Sequence, residues 1–103
     1  MSTKKSGASR FLGKVTGAPL TLGSFLQAIR VGERLSQTEF STHLGISRSH
    51  LCDIEKGRKR LSPARAAKFA KTLGYGEAQF VRLALQWLVE EAGLKLRVRV
   101  DAA

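Results

Sequence analysis

The stretch Ser36–Gly57, SQTEFSTHLGISRSHLCDIEKG, decides the fold, because it holds two helix starts, one tight turn and regularly spaced apolar residues. Ser36 and Glu39 have the spacing of a capping box, in which each side chain bonds to the backbone amide of the other residue. Ser47 is suited to cap a second helix, and Gly45 is suited to end the first one. Because only Gly45 and Ile46 separate the two helices, we expect the helices to cross at a sharp, fixed angle.

The two faces of the second helix in this stretch differ in polarity. Leu51 and Ile54 define its buried face, because successive residues are rotated by about 100° around a helix. Arg48, Ser49 and Asp53 then lie on or beside the opposite face. A polar, partly basic ridge of this kind is free to enter the major groove of DNA, as a recognition helix does.

Further helices are predicted on both sides. An apolar face of helical period predicts a helix that begins after Thr21 and ends near Gly32. Downstream, Ser62 precedes a proline, which predicts a helix start, and this helix should end at residue 74. A last helix is predicted from near Glu77 to about Gly93. The fold class is therefore all-α, with five helices.

The C-terminal third carries more apolar surface than a small domain needs. The last helix has a second apolar stripe, and apolar and charged residues then alternate from Leu94 to Asp101, which is typical of a β-strand. Because a lone strand cannot satisfy its own backbone, we expect it to pair with its own copy or to add to a partner's sheet, unless it is a frayed tail. The expected dimer interface consists of Val81, Leu85, Val89, Leu96, Val98 and Val100.

Composition limits the domain organisation and the partner. The chain has 103 residues, a formal net charge of +10 and a pI near 10.7, which favours a polyanionic partner. We predict a flexible basic arm over residues 1–20, one domain over 21–93 and a strand or tail over 94–103. The arm is either a solvated tail or a further contact with DNA. One cysteine fits a reducing cytoplasm, and we expect no signal peptide or membrane span.

The residues LSQTEFSTHLGISRSHLCDIEKGRKRLS, positions 35–62, resemble the phage repressor/Cro-type (XRE) helix-turn-helix family. The resemblance extends from residue 21 to about residue 75, and it implies a repressor-like domain. By this resemblance, Gln37 holds a DNA phosphate, and Arg30 and Glu55 form an ion pair between the first and third helices. The base-contacting positions of the family fall on Arg48, Ser49 and Asp53.

Asp53 and the basic run after the motif require a separate interpretation. An acidic residue facing DNA can accept a hydrogen bond from a cytosine amine, or it can repel phosphate. Basic residues placed directly after a recognition helix are suited to hold the sugar-phosphate backbone. The expected phosphate contacts are Gln37, Ser47, His50, Lys56, Arg58, Lys59 and Arg60.

The leading hypothesis is a sequence-specific DNA-binding regulator of transcription that acts as a homodimer on a palindromic operator. The alternative is an antitoxin of a type II toxin-antitoxin module, in which the C-terminal third binds the toxin. Nonspecific nucleic-acid binding has less support, because the aromatic residues lie at core spacings. We expect neither an enzyme nor a metal or cofactor site, because no nucleophile–base pair, paired carboxylates or clustered ligands are present.

Overall fold

A computed structural model describes residues 20–103, and the predicted basic arm therefore lies almost wholly outside the described residues. The described chain falls into two compact units, of which the first ends at Lys59 and the second begins at Arg60. Five α-helices are present among these residues. The first unit contains α1 (Leu22–Gly32), α2 (Gln37–Leu44) and α3 (Arg48–Glu55), and the second unit contains α4 (Pro63–Leu73) and α5 (Glu77–Glu91).

The helix boundaries of the first unit follow the capping signals of the sequence. The Ser36 hydroxyl accepts a hydrogen bond from the amide of Glu39 at 3.0 Å, and the Glu39 carboxylate accepts one from the amide of Ser36 at 2.9 Å. The Ser47 hydroxyl caps α3 by accepting from the amide of His50 at 3.0 Å. Gly45 ends α2 with a left-handed φ of 75°, which glycine adopts without steric cost. The predicted capping box is confirmed.

The first unit buries one apolar face from each of its helices, and both α1 and α2 pack on α3. Its buried apolar side chains include Leu22, Phe25, Leu26, Ile29, Phe40, Leu44, Leu51 and Ile54. Gly23 allows α1 to approach α3 closely, since a Cβ atom at this position would lie 2.1 Å from the carbonyl oxygen of Ile54. This close approach was not among the features predicted from the sequence.

The second unit is a pair of packed helices. The Ser62 hydroxyl accepts from the amide of Arg65 at 3.2 Å, Pro63 occupies the first turn of α4, and Gly74 ends the helix in a left-handed conformation, as predicted. The buried apolar residues of the pair are Ala66, Phe69, Ala70, Tyr75, Phe80, Leu83 and Ala84. Leu88 of α5 is 39% exposed. It lies in the last turns of α5, which has 15 residues against 11 in α4.

The predicted C-terminal β-strand is absent from the described chain, in which residues 94–103 follow α5 as irregular backbone. The physical reason is that a strand is defined by hydrogen bonds to a neighbouring strand, and this single chain contains none in its described part. The alternating sequence is therefore not sufficient to form a strand in one copy of the chain. None of the described helices is long and apolar enough to cross a membrane.

Candidate nucleic-acid interface

The outward face of α3 is the centre of the candidate site. Leu51 and Ile54 are completely buried, whereas Arg48 and Ser49 are exposed in the first turn of the helix. Neither of these two side chains forms a hydrogen bond or an ion pair within the described residues. The separation of faces that the helical period predicted is therefore present. The first turn of α3 offers a guanidinium and a hydroxyl to an external partner.

The turn between α2 and α3 fixes the direction of this face. After Gly45, the amide of Ile46 donates to the carbonyl of Ser41 at 3.0 Å, so the chain reverses within two residues of the end of α2. Ser41 is buried, and its hydroxyl donates to the carbonyl of Thr38 at 2.9 Å. The serine hydroxyl therefore has a partner inside α2, and the position keeps the small side chain that a close helix contact requires.

A buried ion pair joins α1 to the end of α3. The Arg30 guanidinium binds both carboxylate oxygens of Glu55, with Nε at 2.8 Å from Oε2 and a terminal nitrogen at 3.1 Å from Oε1. The Glu55 side chain is only 2% exposed. Arg30 also donates to the carbonyl of Leu35 at 3.1 Å. The ion pair implied by the family resemblance is confirmed.

Gln37 has a structural contact that the sequence analysis missed. Its side-chain nitrogen donates to Oε1 of Glu55 at 3.2 Å, so that the first residue of α2 is tied to the last residue of α3. A carboxamide carries two N–H donors, and this bond uses one of them. The predicted phosphate contact of Gln37 would therefore depend on the second N–H group.

Asp53 and Arg58, which the sequence analysis treated separately, form an ion pair. Nε of Arg58 donates to Oδ1 of Asp53 at 2.9 Å, and this hydrogen bond raises the pKa of Arg58. The backbone carbonyl of Asp53 also accepts from the amide of Arg58 at 2.7 Å. A terminal nitrogen of Arg58 lies 3.7 Å from Sγ of Cys52. Gly57, with its left-handed φ of 76°, turns the chain so that Arg58 lies back over α3.

The other predicted phosphate-binding residues have different surroundings. Lys56 and Lys59 are exposed and form no ion pair within the described residues, whereas His50 is half-buried. The Ser47 hydroxyl accepts a hydrogen bond as the cap of α3, and its proton remains available to donate. Arg60 belongs to the second unit and pairs there with Glu91 at 3.0 Å, both side chains being about half exposed (47% and 49%).

The residues predicted at a dimer interface all lie in the second unit and keep exposed surface. Val81, Leu85 and Val89 on α5 are half-buried, as are Val98 and Val100, and Leu96 is 63% exposed. Over residues 20–103, no group of three side chains is arranged to hold a metal ion.

Residues 21–83 match a family model described as a helix-turn-helix domain. The matched region covers more than half of the chain, and it contains α1 to α4 and the first half of α5. Searches of curated proteins and of solved structures found no match.

Proposed function

The chain belongs to the helix-turn-helix family, and from this premise we propose that it is a sequence-specific DNA-binding regulator of transcription. In this proposal it acts in the cytoplasm as a homodimer of the phage repressor/Cro type (XRE) on a palindromic operator. The observation that carries the proposal is the exposed first turn of α3, where Arg48 and Ser49 have no partner among the described residues. This turn is held on a rigid support by the buried pair of Arg30 and Glu55.

Base recognition is assigned to the first turn of α3. An arginine guanidinium can donate two hydrogen bonds to O6 and N7 of a guanine, which is the commonest specific contact in the major groove. A serine hydroxyl can donate to or accept from any base edge, so Ser49 contributes less discrimination than Arg48. With one half-site read by each copy, the two centres would lie about 34 Å apart along the DNA.

For Asp53 we propose the orientation of Arg58 in place of the direct base contact that the sequence predicted. Its carboxylate is 2.9 Å from Nε of Arg58, so the nearest cation already occupies one carboxylate oxygen. The bond from Nε and the weak bond from one terminal nitrogen to Sγ of Cys52 still leave N–H groups on both terminal nitrogens, which can bind a phosphate in a bidentate manner. We therefore assign Asp53 to the orientation of Arg58, and Arg58 to a DNA phosphate.

The other residues assigned to phosphate contacts are exposed or half-buried. Lys56 and Lys59 supply exposed ammonium groups, and Ser47, His50 and the second N–H group of Gln37 supply further donors. Arg60 would have to exchange its exposed pair with Glu91 for a phosphate, which costs little because exposed pairs are weak. Repression would follow from occupation of promoter DNA, without any chemical step.

Selection of bound DNA from a random pool tests the proposal. We expect a palindromic consensus, and an affinity that falls steeply with salt because about 6–10 phosphate contacts per dimer release counterions. A pool that shows no consensus, or binding that does not respond to salt, would contradict the proposal.

A second candidate function is supported by the exposed apolar residues of the second unit. Leu88, Leu94 and Leu96 are 39%, 51% and 63% exposed, so their apolar side chains are available to bind another protein. The chain would then be the antitoxin of a type II module, which neutralises a toxin and represses its own operon. Co-expression with the product of the adjacent gene tests this function. A stable complex that still binds the operator supports it, and a failure of the two proteins to associate excludes it.

A further inference from the structure

The side chain of Gln86 holds the C-terminal segment, which we define as residues 94–101, against α5. Its nitrogen donates to the carbonyl of Leu96 at 2.9 Å, and its oxygen accepts from the amide of Val98 at 2.7 Å. The same nitrogen donates to Glu90 at 3.3 Å, which holds the carboxamide in place. A carbonyl and the amide two residues later point in the same direction in extended backbone. The segment therefore already has the backbone direction of a strand around residue 97.

The opposite edge of the C-terminal segment is open. Three even-numbered residues each bind α5 through one backbone group: the amide of Leu94 donates to the carbonyl of Val89 at 3.2 Å, and the carbonyl of Leu96 and the amide of Val98 bind Gln86. The odd-numbered residues point the other way, and their amides and carbonyls form no hydrogen bond within the described chain. These residues are Lys95, Arg97, Arg99 and Asp101. A row of free amides and carbonyls is a template for a further strand.

We infer that this open edge binds the same edge of a second copy, in an antiparallel pair centred on Val98. The inference rests on the homodimer of the proposed function. It specifies which edge forms the contact between the two copies and which residues lie opposite each other. In this register, Lys95 of each copy lies opposite Asp101 of the other, which gives two pairs of opposite charge. Leu96 lies opposite Val100 of the second copy, so that the most exposed apolar side chain is covered.

The two neighbouring registers use the same edge, and both are less favourable. Centring on Arg97 places Arg97 opposite itself and Lys95 opposite Arg99, so every charged pair is repulsive. The register centred on Val98 has two repulsive pairs, since Arg97 of each copy lies opposite Arg99 of the other. The register centred on Arg99 places Arg97 opposite Asp101 and has one repulsive pair, between the two Arg99 residues. It also leaves Leu96 opposite Ala102. The apolar pair of Leu96 with Val100 decides between the two, because repulsion between exposed charges is screened by salt and apolar burial is not.

Disulfide cross-linking of the full chain without DNA tests the register. In a background with Cys52→Ser, we expect Val98→Cys to form a covalent dimer on oxidation. Residues opposite each other in a pair without backbone hydrogen bonds have Cα atoms about 4.5 Å apart, which suits a disulfide. Arg97→Cys and Arg99→Cys are the matched controls, and we expect little cross-linking from either one. Cross-linking at residue 97 or 99 without cross-linking at residue 98 would overturn the inference.

Charge reversal gives an independent test. We expect Lys95→Asp and Asp101→Lys each to weaken the homodimer by about tenfold, because each change makes two cross-strand pairs repulsive. An equimolar mixture of the two variants should form heterodimers with the original strength, since both pairs then join opposite charges. Analytical ultracentrifugation measures these states. An unchanged homodimer of Lys95→Asp would favour the register centred on Arg99 and contradict ours.

The results also separate this inference from the proposed function. A chain that selects a palindrome but does not cross-link at residue 98 is a regulator with a different dimer contact. A chain that cross-links at residue 98 but selects no DNA sequence has the dimer contact and lacks the proposed function. A chain that stays monomeric at every concentration overturns the inference, and the open edge is then available to a different protein.

Discussion

The two units of this chain are stabilised in different ways. In the first unit, specific polar contacts join helices that are distant in sequence, as the Arg30–Glu55 pair and the bond from Gln37 to Glu55 do. In the second unit, two helices pack through apolar side chains, and the ion pairs Arg60–Glu91 and Lys71–Glu77 are exposed. The first unit therefore fixes the direction of its helices more strictly than the second unit does.

This difference agrees with the separate tasks proposed for the units. A face that reads DNA must be held within a fraction of an ångström, and a buried, fully bonded carboxylate such as Glu55 provides that constraint. A surface that joins two copies needs apolar area and free backbone groups, which the second unit provides at Leu94, Leu96 and the open edge. The same kind of substitution should therefore have unequal effects on stability in the two units.

Loss of the buried pair should have the largest effect. Glu55→Ala leaves Arg30 without its buried partner, and we expect the free energy of unfolding to fall by about 3–4 kcal/mol. Arg60→Ala removes an exposed pair in the second unit and should cost less than about 0.5 kcal/mol. Urea denaturation measures both values. Equal losses would contradict the distinction between the units.

The double variant Arg30→Leu with Glu55→Leu is the control for this prediction. It removes both charges together, so no buried charge is left without a partner, and much of the lost stability should return. Its DNA affinity should nevertheless stay low if the pair sets the direction of α3. Recovery of affinity together with stability would limit the pair to a role in folding.

In the second unit, removal of a buried apolar side chain should cost much more stability than removal of an exposed one. Leu83 is 3% exposed, and Leu83→Ala should cost about 3 kcal/mol because it leaves a cavity. Leu96 is 63% exposed, and Leu96→Ala should change the stability of the monomer by less than about 0.5 kcal/mol. Thermal unfolding at low protein concentration measures both. At high concentration, Leu96→Ala should lower the melting temperature if the residue is buried between two copies.

The contact at Gly23 gives a prediction for α1. Gly23→Ala places a methyl group against the carbonyl of Ile54, and we expect a loss of about 2–3 kcal/mol because two backbones must move apart. Gly32→Ala is the matched control, since no atom lies within 4 Å of the added group, and it should be neutral or stabilising by up to about 0.5 kcal/mol. The midpoint of denaturation should therefore fall for Gly23→Ala, and it should stay unchanged or rise for Gly32→Ala.

The helices and the outward face of α3 could be predicted from the sequence because their signals are local. Ser36 and Glu39 lie in one turn of helix, Ser62 directly precedes a proline, and the spacing of Leu51 and Ile54 gives the buried face. The long-range Arg30–Glu55 pair was accessible only through the family resemblance. Nothing in the spacing of these two residues indicates that α1 lies beside the end of α3.

The contacts that the sequence did not predict depend on chain reversals or on other strands. The Asp53–Arg58 pair requires the left-handed turn at Gly57, which brings a residue beyond the helix back to its side chains. Gly23 had one available signal, since a glycine inside a helix costs about 0.5–1 kcal/mol and needs a reason such as close packing. The strand over residues 94–101 had the right alternation, but alternation does not supply the neighbouring strand that it needs.

The residues of the first unit that we propose to contact DNA should fall into two groups, according to how their substitution changes DNA affinity. Arg48→Ala should relax the preference at one base pair by about 1–3 kcal/mol, whereas Lys59→Ala should weaken all sequences equally and reduce the salt dependence by about one counterion. Affinities for the selected operator and for single-base variants at several salt concentrations measure both effects. Identical profiles for the two variants would contradict the assignment of bases to α3 and phosphates to the residues that follow it.

The smallest effect concerns the capping box at the start of α2, and it depends on pH. The hydrogen bond from the amide of Ser36 lowers the pKa of Glu39, and the bond to the Ser36 hydroxyl adds to this shift. A carboxyl whose pKa is lower in the folded than in the unfolded protein contributes stability above its unfolded pKa of about 4.3. That contribution is lost as the pH falls through the folded pKa. Glu39→Gln should therefore melt at a lower temperature than the original chain at neutral pH, and the two should converge in acid.

Melting temperatures between about pH 2 and pH 7 test this prediction, since that interval includes both protonation states of the carboxyl. Glu90→Gln is the matched control, because Glu90 lies near the end of α5 and accepts a bond from the side chain of Gln86 instead of capping a helix start. The difference in melting temperature between Glu90→Gln and the original chain should not show the pH dependence that the capping box gives to Glu39→Gln. A difference for Glu39→Gln that is constant across this range would mean that the charge of the carboxylate contributes nothing. The capping box would then stabilise α2 through its neutral hydrogen bonds alone.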